Sequence, residues 1–348
     1  MSAAMQGNGK RIEGQPERWL QVRAGGLYCV PGDFHIDPGR PVARAVVTHG
    51  HADHARPGND AVLATPDTAA IMRQRYGAAA AGTMDELPYG EMRRIGPVTL
   101  RLVPAGHVLG SAQVVLDYAG TRVVVSGDYK RRPDPTCAPF EPVRCDLFVT
   151  EATFGLPVFR HPPDAEEVAK LLASVARFPE RSHLVGAYAL GKAQRLIALL
   201  RRAGWDDPVW LHGALDGLCR LYGERGVELG DLRPVVGEDR RRMAGAIVLC
   251  PPSALQDRWS RAFPEPVNAM ASGWLRVRQR ARQHGLELPL VISDHADWDE
   301  LTQTLDEVQA PRVWVTHGRE EALVHHARSR GIDARALSLV GFEEEHGA

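Results

Sequence analysis

The sequence predicts a layered α/β protein interrupted by a second α/β domain. Three observations predict it: short β-branched runs that each end in a polar or ionisable residue, helical segments between those runs, and a middle stretch of strands and helices without the strongest ligand-like motifs. Apolar runs this short read as buried strands. A sheet whose strands each release an ionisable group at their ends assembles a site along one edge.

The elements follow in order. Residues 1–14 are polar and glycine-rich and read as a flexible tail. Ala45-Val46-Val47 leads to Thr48-His49-Gly50, residues 100–103 lead to Gly106-His107, Val123-Val124-Val125 leads to Ser126-Gly127-Asp128, and Leu147-Phe148-Val149 leads to Thr150-Glu151. Later, Leu290-Val291-Ile292 leads to Ser293-Asp294-His295, and Val313-Trp314-Val315 to Thr316-His317-Gly318. Helices are expected over 67–76 with Gly77 as C-cap, 164–178, 192–203, 298–308 and 320–330. Asp297 and Glu300 are spaced for a capping box at the fourth of these. Strand-then-helix units start at 184–190, 209–211 and 246–249. The expected organisation is therefore one domain from 15–182 and 289–348, with 183–288 inserted.

Composition narrows the class. The net charge of -1 means that any basic surface must be local. Five cysteines without CxxC spacing give no zinc-ribbon signal, and the odd count argues against a disulfide framework, so reduced thiols in a cytoplasmic protein are expected. No apolar run reaches the ~18 residues of a membrane span.

His49-Gly50-His51-Ala52-Asp53-His54 is an HxHxDH motif. On a tight loop after a strand, His49 and His51 can share one face while Asp53 and His54 point to another, so two metals can sit ~3.5–4 Å apart. His107 is placed to complete the first site, His317 the second, and Asp128 to bridge both through its two carboxylate oxygens. A solvated histidine-rich turn is the bland reading of the motif alone; the three further groups after strand-like runs weigh against it.

This ordered set, with Asp37 in His35-Ile36-Asp37-Pro38, resembles the metallo-β-lactamase superfamily. The resemblance implies an αββα sandwich, two divalent ions (zinc or manganese, with iron open), and an Asp37 that supports the ligand loop without binding metal. Glu151 in Thr150-Glu151-Ala152 and His295 in His295-Ala296-Asp297, ahead of His317, resemble the β-CASP nuclease branch, whose α/β cap fits the inserted domain. Residues 26–34 and His51-Ala52-Asp53-His54-Ala55-Arg56-Pro57-Gly58 are similar to bacterial ligase-associated DNA exonucleases, also called mRNA 3′-end processing factors. That implies a nucleic-acid substrate, DNA favoured over RNA, an association with a DNA ligase and no membrane. It also implies catalytic roles for Asp53, His295 and Glu151: the ions activate water for in-line attack on phosphorus, His295 donates a hydrogen bond or proton, and Glu151 orients His295.

Substrate contacts are expected from basic residues. Arg276, Arg278, Arg280 and Arg282 recur every second residue after Trp274 and would form one basic face if extended; if helical they spread around the cylinder. Lys130, Arg131 and Arg132 closely follow Asp128. Residues 186–192, ending in Gly191-Lys192, imitate the start of a P-loop, but Ala193 lacks the hydroxyl that holds magnesium. Lys192 at that helix start is a further phosphate-binding candidate. Competing readings are an RNA-processing nuclease of the same branch, a small-molecule ester or thioester hydrolase of the same fold, and a nucleic-acid-binding subunit with an inactive metal site.

Overall fold

A computed structural model describes residues 15–235, 240, 242–263 and 265–337. The tail expected at 1–14 lies outside the described residues. The described residues divide into two compact units: 15–133, 137–157 and 296–337 form one, and 134–136 with the described part of 158–295 form the other.

In the first unit, β1 (Leu20–Arg23), β2 (Gly26–Cys29), β3 (Phe34–Ile36), β4 (Arg44–Val46), β5 (Asn59–Ala64) and β6 (Ala81–Glu86) form one sheet in sequence order. The chain then makes β7 (Met92–Ile95), β8 (Val98–Pro104), β9 (Ala112–Tyr118), β10 (Thr121–Val125) and β11 (Leu147–Ala152). The second unit contributes β12 (His183–Gly186), β13 (Val209–Leu211), β14 (Leu232–Pro234), β15 (Ile247–Cys250), β16 (Val267–Ala271) and β17 (Leu288–Leu290) before β18 (Arg312–Gly318) and β19 (Asp333–Ala336) return to the first. The second sheet of the first unit runs β19-β18-β11-β10-β9-β8-β7.

The alternation along these strands explains the layers. Leu27, Phe34, Ile36 and Val46 from one sheet share a core with Leu100, Val114, Val123 and Val149 from the other. On the outer face of the larger sheet, Val115, Val124, Phe148 and Val313 pack against Leu301 and Leu305 of the helix Trp298–Val308 and Leu323 of the helix Glu320–Ser329. On the outer face of the smaller sheet, Ala45 and Val62 pack against Met72 of the helix Pro66–Tyr76. The unit is an αββα sandwich. The helix Trp298–Val308 has the capping box expected from Asp297 and Glu300, each side chain accepting the other's backbone N–H at 3.0 Å.

The second unit is built on a sheet ordered β14-β13-β15-β12-β16-β17, parallel throughout. Its limits differ from the expected 183–288. The helix Asp164–Arg177 packs against Lys192–Arg202, and β17 pairs with β16, so the unit runs from 158 to 295. Asp134 joins it through Arg195, whose fully buried guanidinium holds Asp134 and Asp164 at 2.5 Å each. Burial works against the charge on Arg195, but the two carboxylates overcome it and hold the group charged.

Removing one partner from a buried ion pair leaves an uncompensated charge, at a cost of about 3–5 kcal/mol. Asp164 remains as a counter-charge, so Asp134→Ala is expected to destabilise by roughly 3 kcal/mol, at the low end of that range. Urea unfolding followed by tryptophan fluorescence measures it; a change below about 1 kcal/mol would place the triad among the inexpensive surface pairs.

Candidate metal centre

The ligand loops are built from backbone that the sequence fixes locally. β3 ends at Ile36, one residue before Asp37, and β4 leads through Val47 and Thr48 to His49. Asp37 accepts the Thr48 N–H at 2.8 Å and the Thr48 hydroxyl at 2.6 Å, and its Oδ2 lies 2.8 Å from His54 Nδ1. A carboxylate on one ring nitrogen fixes the tautomer and turns Nε2 inward. The helix Pro66–Tyr76 sends Arg75 back to the Gly50 carbonyl at 2.6 Å, bracing the HxHxDH turn. Ser111 Oγ accepts the N–H groups of His107 and Val108 at 3.0 and 3.2 Å, closing the loop after β8.

Backbone strain gathers at the same place. Asp37 and His317 take positive φ, 44° and 57°, which non-glycine residues rarely adopt and which persists where surrounding structure enforces it. Gly127, between β10 and Asp128, has φ 57°, and a Cβ there would stand 2.7 Å from the Thr48 hydroxyl. The approach of the two loops therefore requires glycine.

Four side chains converge. His51 Nδ1 lies 3.2 Å from His49 Nε2 and 3.0 Å from His107 Nε2, and Asp128 Oδ2 lies 3.4 Å from His49 Nε2 and 3.8 Å from His107 Nε2. Tetrahedral ligands about 2.0–2.1 Å from one ion stand about 3.3–3.4 Å apart, and these four edges of 3.0–3.8 Å lie around that spacing. A second set lies beside the first. His54 Nε2 is 3.5 Å from Asp53 Oδ2 and 3.3 Å from Asp128 Oδ2, and the His317 ring centroid is 5.2 Å from that of His54. The seven expected ligands, His49, His51, Asp53, His54, His107, Asp128 and His317, are thus brought together. Asp128 differs in detail: the same Oδ2 approaches both sets, where two separate oxygens were expected. Asp37, His49 and His54 could also hold an ion together. Both Asp37 oxygens, however, are engaged by Thr48 and His54 Nδ1, which leaves Asp37 a supporting role.

The charges are unequal. Burial, then the positive charge of His54, holds His49 well below the usual histidine range and lowers His317 to about 4. Burial pushes His54 the same way, but Asp128, Asp53 and Asp37 together hold it well above the ordinary value. Burial opposes ionisation of Asp53, and the His54 charge nevertheless keeps it below the usual carboxylate value.

Glu151 offers a carboxylate oxygen within 4.8 Å of one from Asp128. It is buried at the end of β11 and accepts the Tyr129 N–H at 2.8 Å. His295 is the last residue of the second unit's 158–295 segment, its N–H 3.0 Å from Ser293 Oγ. Lys130 is a correction: its side chain is 1% exposed and its ammonium lies 3.6 Å from Glu300, so it does not face a substrate strand. Arg131 is bound bidentately by Glu307 at 2.7 and 2.9 Å, and Arg132 by Asp297 at 2.6 Å. Lys192 is buried and ion-paired with Asp294 at 3.1 Å. The Gly191, Lys192 and Ala193 amides donate to Gln194, Leu190 and Tyr188, so the P-loop imitation offers no phosphate nest.

The basic face expected of an extended 276–282 does not form, because residues 273–276 are a 3₁₀ turn and Arg278–Gln283 is a helix. Arg276, Arg278 and Arg282 remain exposed there, and Arg280 stacks on Trp274 at 4.5 Å. Sequence reasoning missed Thr48, Arg75, Ser111 and Tyr129; only Thr48, beside the HxHxDH block, stood within reach of a local signal.

Residues 34–181 match the family described as the metallo-beta-lactamase superfamily. The chain carries a metallo-β-lactamase domain. It is 29% identical over 320 residues to a probable DNA ligase from Opitutus terrae, a match covering 90% of this chain and 30% of that protein. Ribonuclease TTHA0252 of Thermus thermophilus is 26% identical, with 89% of each chain covered. Endoribonuclease YSH1 of Gibberella zeae is 29% identical, with 82% of this chain and 43% of that protein covered. The chain thus spans under a third of the ligase and under half of YSH1. These matches agree with the branch resemblance drawn from the motifs. A crystal structure from Enterococcus faecalis V583, of a protein of unknown function, shares the fold with a TM-score of 0.57 at 12% identity over 86% of this chain and 80% of that one.

Two outcomes follow for the metal-free protein. His54 must lose its proton to ligate, so metal affinity should rise about tenfold per pH unit through the range above the ordinary histidine value, and binding should release a proton. Calorimetry in two buffers of different ionisation enthalpy reads that release directly. Asp37→Asn should weaken metal binding roughly 10–100-fold while the domain stays folded, read by chelator competition; unchanged affinity would remove Asp37 from the support of His54.

Proposed function

We propose that this protein is a two-metal phosphodiesterase that degrades nucleic acid, and that it acts as a DNA exonuclease in repair. The observation that carries the hydrolase reading is the convergence of His49, His51, His107 and Asp128, with Asp53, His54 and His317 beside it. When bound, a pair of divalent ions, zinc or manganese, supplies a nucleophilic water at neutral pH and draws charge from the phosphate oxygens.

The chain's own residues supply the rest. Asp37 turns His54 inward, and Asp53 and Asp128 balance the positive charge of the site. In this reading His295 donates a hydrogen bond or proton to the phosphate or leaving oxygen, and Glu151 orients it. Arg276, Arg278 and Arg282, exposed on and beside a short helix, meet backbone phosphates, with Trp274 and Arg280 as a stacking pair.

DNA is favoured because the relative spanning 90% of this chain is named a probable DNA ligase. A setting beside a ligase and a cytoplasmic location go with that reading; no helix among the described residues is long and apolar enough to cross a membrane. RNA is the second reading, favoured by the endoribonuclease and ribonuclease names of the other relatives.

End-labelled single- and double-stranded DNA and RNA, incubated with zinc- or manganese-loaded protein, test the proposal. A ladder on DNA is expected, falling at least 100-fold in His51→Ala. A ladder on RNA alone would replace DNA by RNA. Turnover of a small ester without cleavage of either polymer would overturn the nuclease reading.

A further inference from the structure

Glu300 is among the buried carboxylates that the mechanism leaves unused. It stands in the first turn of the helix Trp298–Val308, almost fully buried, and both of its oxygens are engaged. Oε1 accepts the Arg131 N–H at 3.1 Å and the Arg132 N–H at 2.7 Å. Oε2 accepts the Asp297 N–H at 3.0 Å and lies 3.6 Å from the Lys130 ammonium.

Capping the helix needs only the Asp297 contact; the other three donors come from the segment that leaves Asp128. That segment is held as well by the Tyr129 N–H on Glu151 at 2.8 Å, the Lys130 N–H on the Ala105 carbonyl at 3.1 Å, and the Arg131 and Arg132 side chains on Glu307 and Asp297. Ala105 begins the loop that carries His107, and the Tyr129 carbonyl receives the Ala296 N–H at 2.7 Å, one residue after His295. The chain leaving Asp128 is therefore sewn to two neighbouring segments, and Glu300 ties its far end. A carboxylate accepting several N–H groups is strong and directional, and a shift of a few tenths of an ångström at Asp128 Oδ2 would alter distances to His49, His54 and His107 together.

We propose that Glu300 is a positioning residue for Asp128: it sets where the shared oxygen stands, and through it how tightly both sets of ligands hold metal. The proposal rests on the reading of Asp128 as a metal ligand.

The test measures zinc affinity by competition with a chromophoric chelator, together with the melting temperature, for the full chain and for Glu300→Gln, Glu300→Asp and Glu307→Gln. Glu300→Gln replaces an acceptor by an NH₂ facing donors and is expected to weaken zinc binding about 10–100-fold. Glu300→Asp, which keeps the charge and withdraws it by one methylene, should fall between that variant and the unaltered protein. Glu307→Gln, which loosens the Arg131 and Gln303 side chains and leaves Glu300 untouched, should bind zinc as the unaltered protein does. In the nuclease assay Glu300→Gln should lower kcat at saturating zinc with KM little changed. A lowered melting temperature with undiminished zinc affinity would reduce Glu300 to a helix cap and overturn the proposal. If the Gln variant does not fold, undiminished zinc affinity in Glu300→Asp overturns it equally. An unaltered protein that takes up no zinc would instead sink the metal reading of Asp128, and the two failures are thereby told apart.

Discussion

The carboxylate of Asp128 is the point on which the rest of the structure depends. Its Oδ2 is within 3.8 Å of ring nitrogens from His49, His54 and His107, which come from two loops of different sheets. Burying several imidazoles and carboxylates together is unfavourable unless their charges are paired and their lone pairs directed at something. The surrounding features serve that requirement. Gly127 lets the loop after β10 lie against Thr48, Asp37 grips Thr48 and His54, and Ser111 folds the His107 loop inward. The sandwich delivers strand ends to one edge, and these local devices aim the side chains.

The features that were legible in the sequence are those set by short-range chemistry. Runs such as Val123-Val124-Val125 declare a buried strand, and Asp297 with Glu300 declares a helix start, because the relevant partners lie within a few residues. The clustered histidines and aspartates could be placed for a similar reason: His317 sits in the last residues of β18, and the others in the loops that follow β4, β8 and β10. The positive φ of Asp37 and His317 could not be read, since neither residue type requires it and only the packed surroundings impose it.

The basic residues show the limit from the other side. Lys130-Arg131-Arg132 reads as an exposed charge run, yet its partners Glu300, Glu307 and Asp297 come from a helix far along the chain. Lys192 is taken by Asp294 in the same way. A charge run announces its charge and not its counter-charge. The stripe at Arg276 to Arg282 fails for a different reason: a period of two has meaning only on extended backbone, and residues 278–283 are helical. The boundary at 158 was hidden because the helix Asp164–Arg177 and the buried Arg195 belong to the second unit through long-range packing that no linker composition marks.

The protonation pattern ties the energetics of the centre to its purpose. Burial keeps His49 and His317 neutral, as ligands must be, while Asp128, Asp53 and Asp37 hold a proton on His54. The negative potential that retains that proton is the potential that a divalent ion would meet, so the proton stands where metal charge belongs. Asp37 is fixed by Thr48 and holds His54 by Nδ1, which leaves Nε2 directed at Asp53 and Asp128. The scaffold therefore meets the cost of assembling the ligands during folding, and binding energy is left to hold the ions. None of the seven clustered residues belongs to the second unit, so the charge balance around Asp128 is set within the first unit alone, and the one proposed catalytic group that the second unit contributes is His295 at the end of its segment.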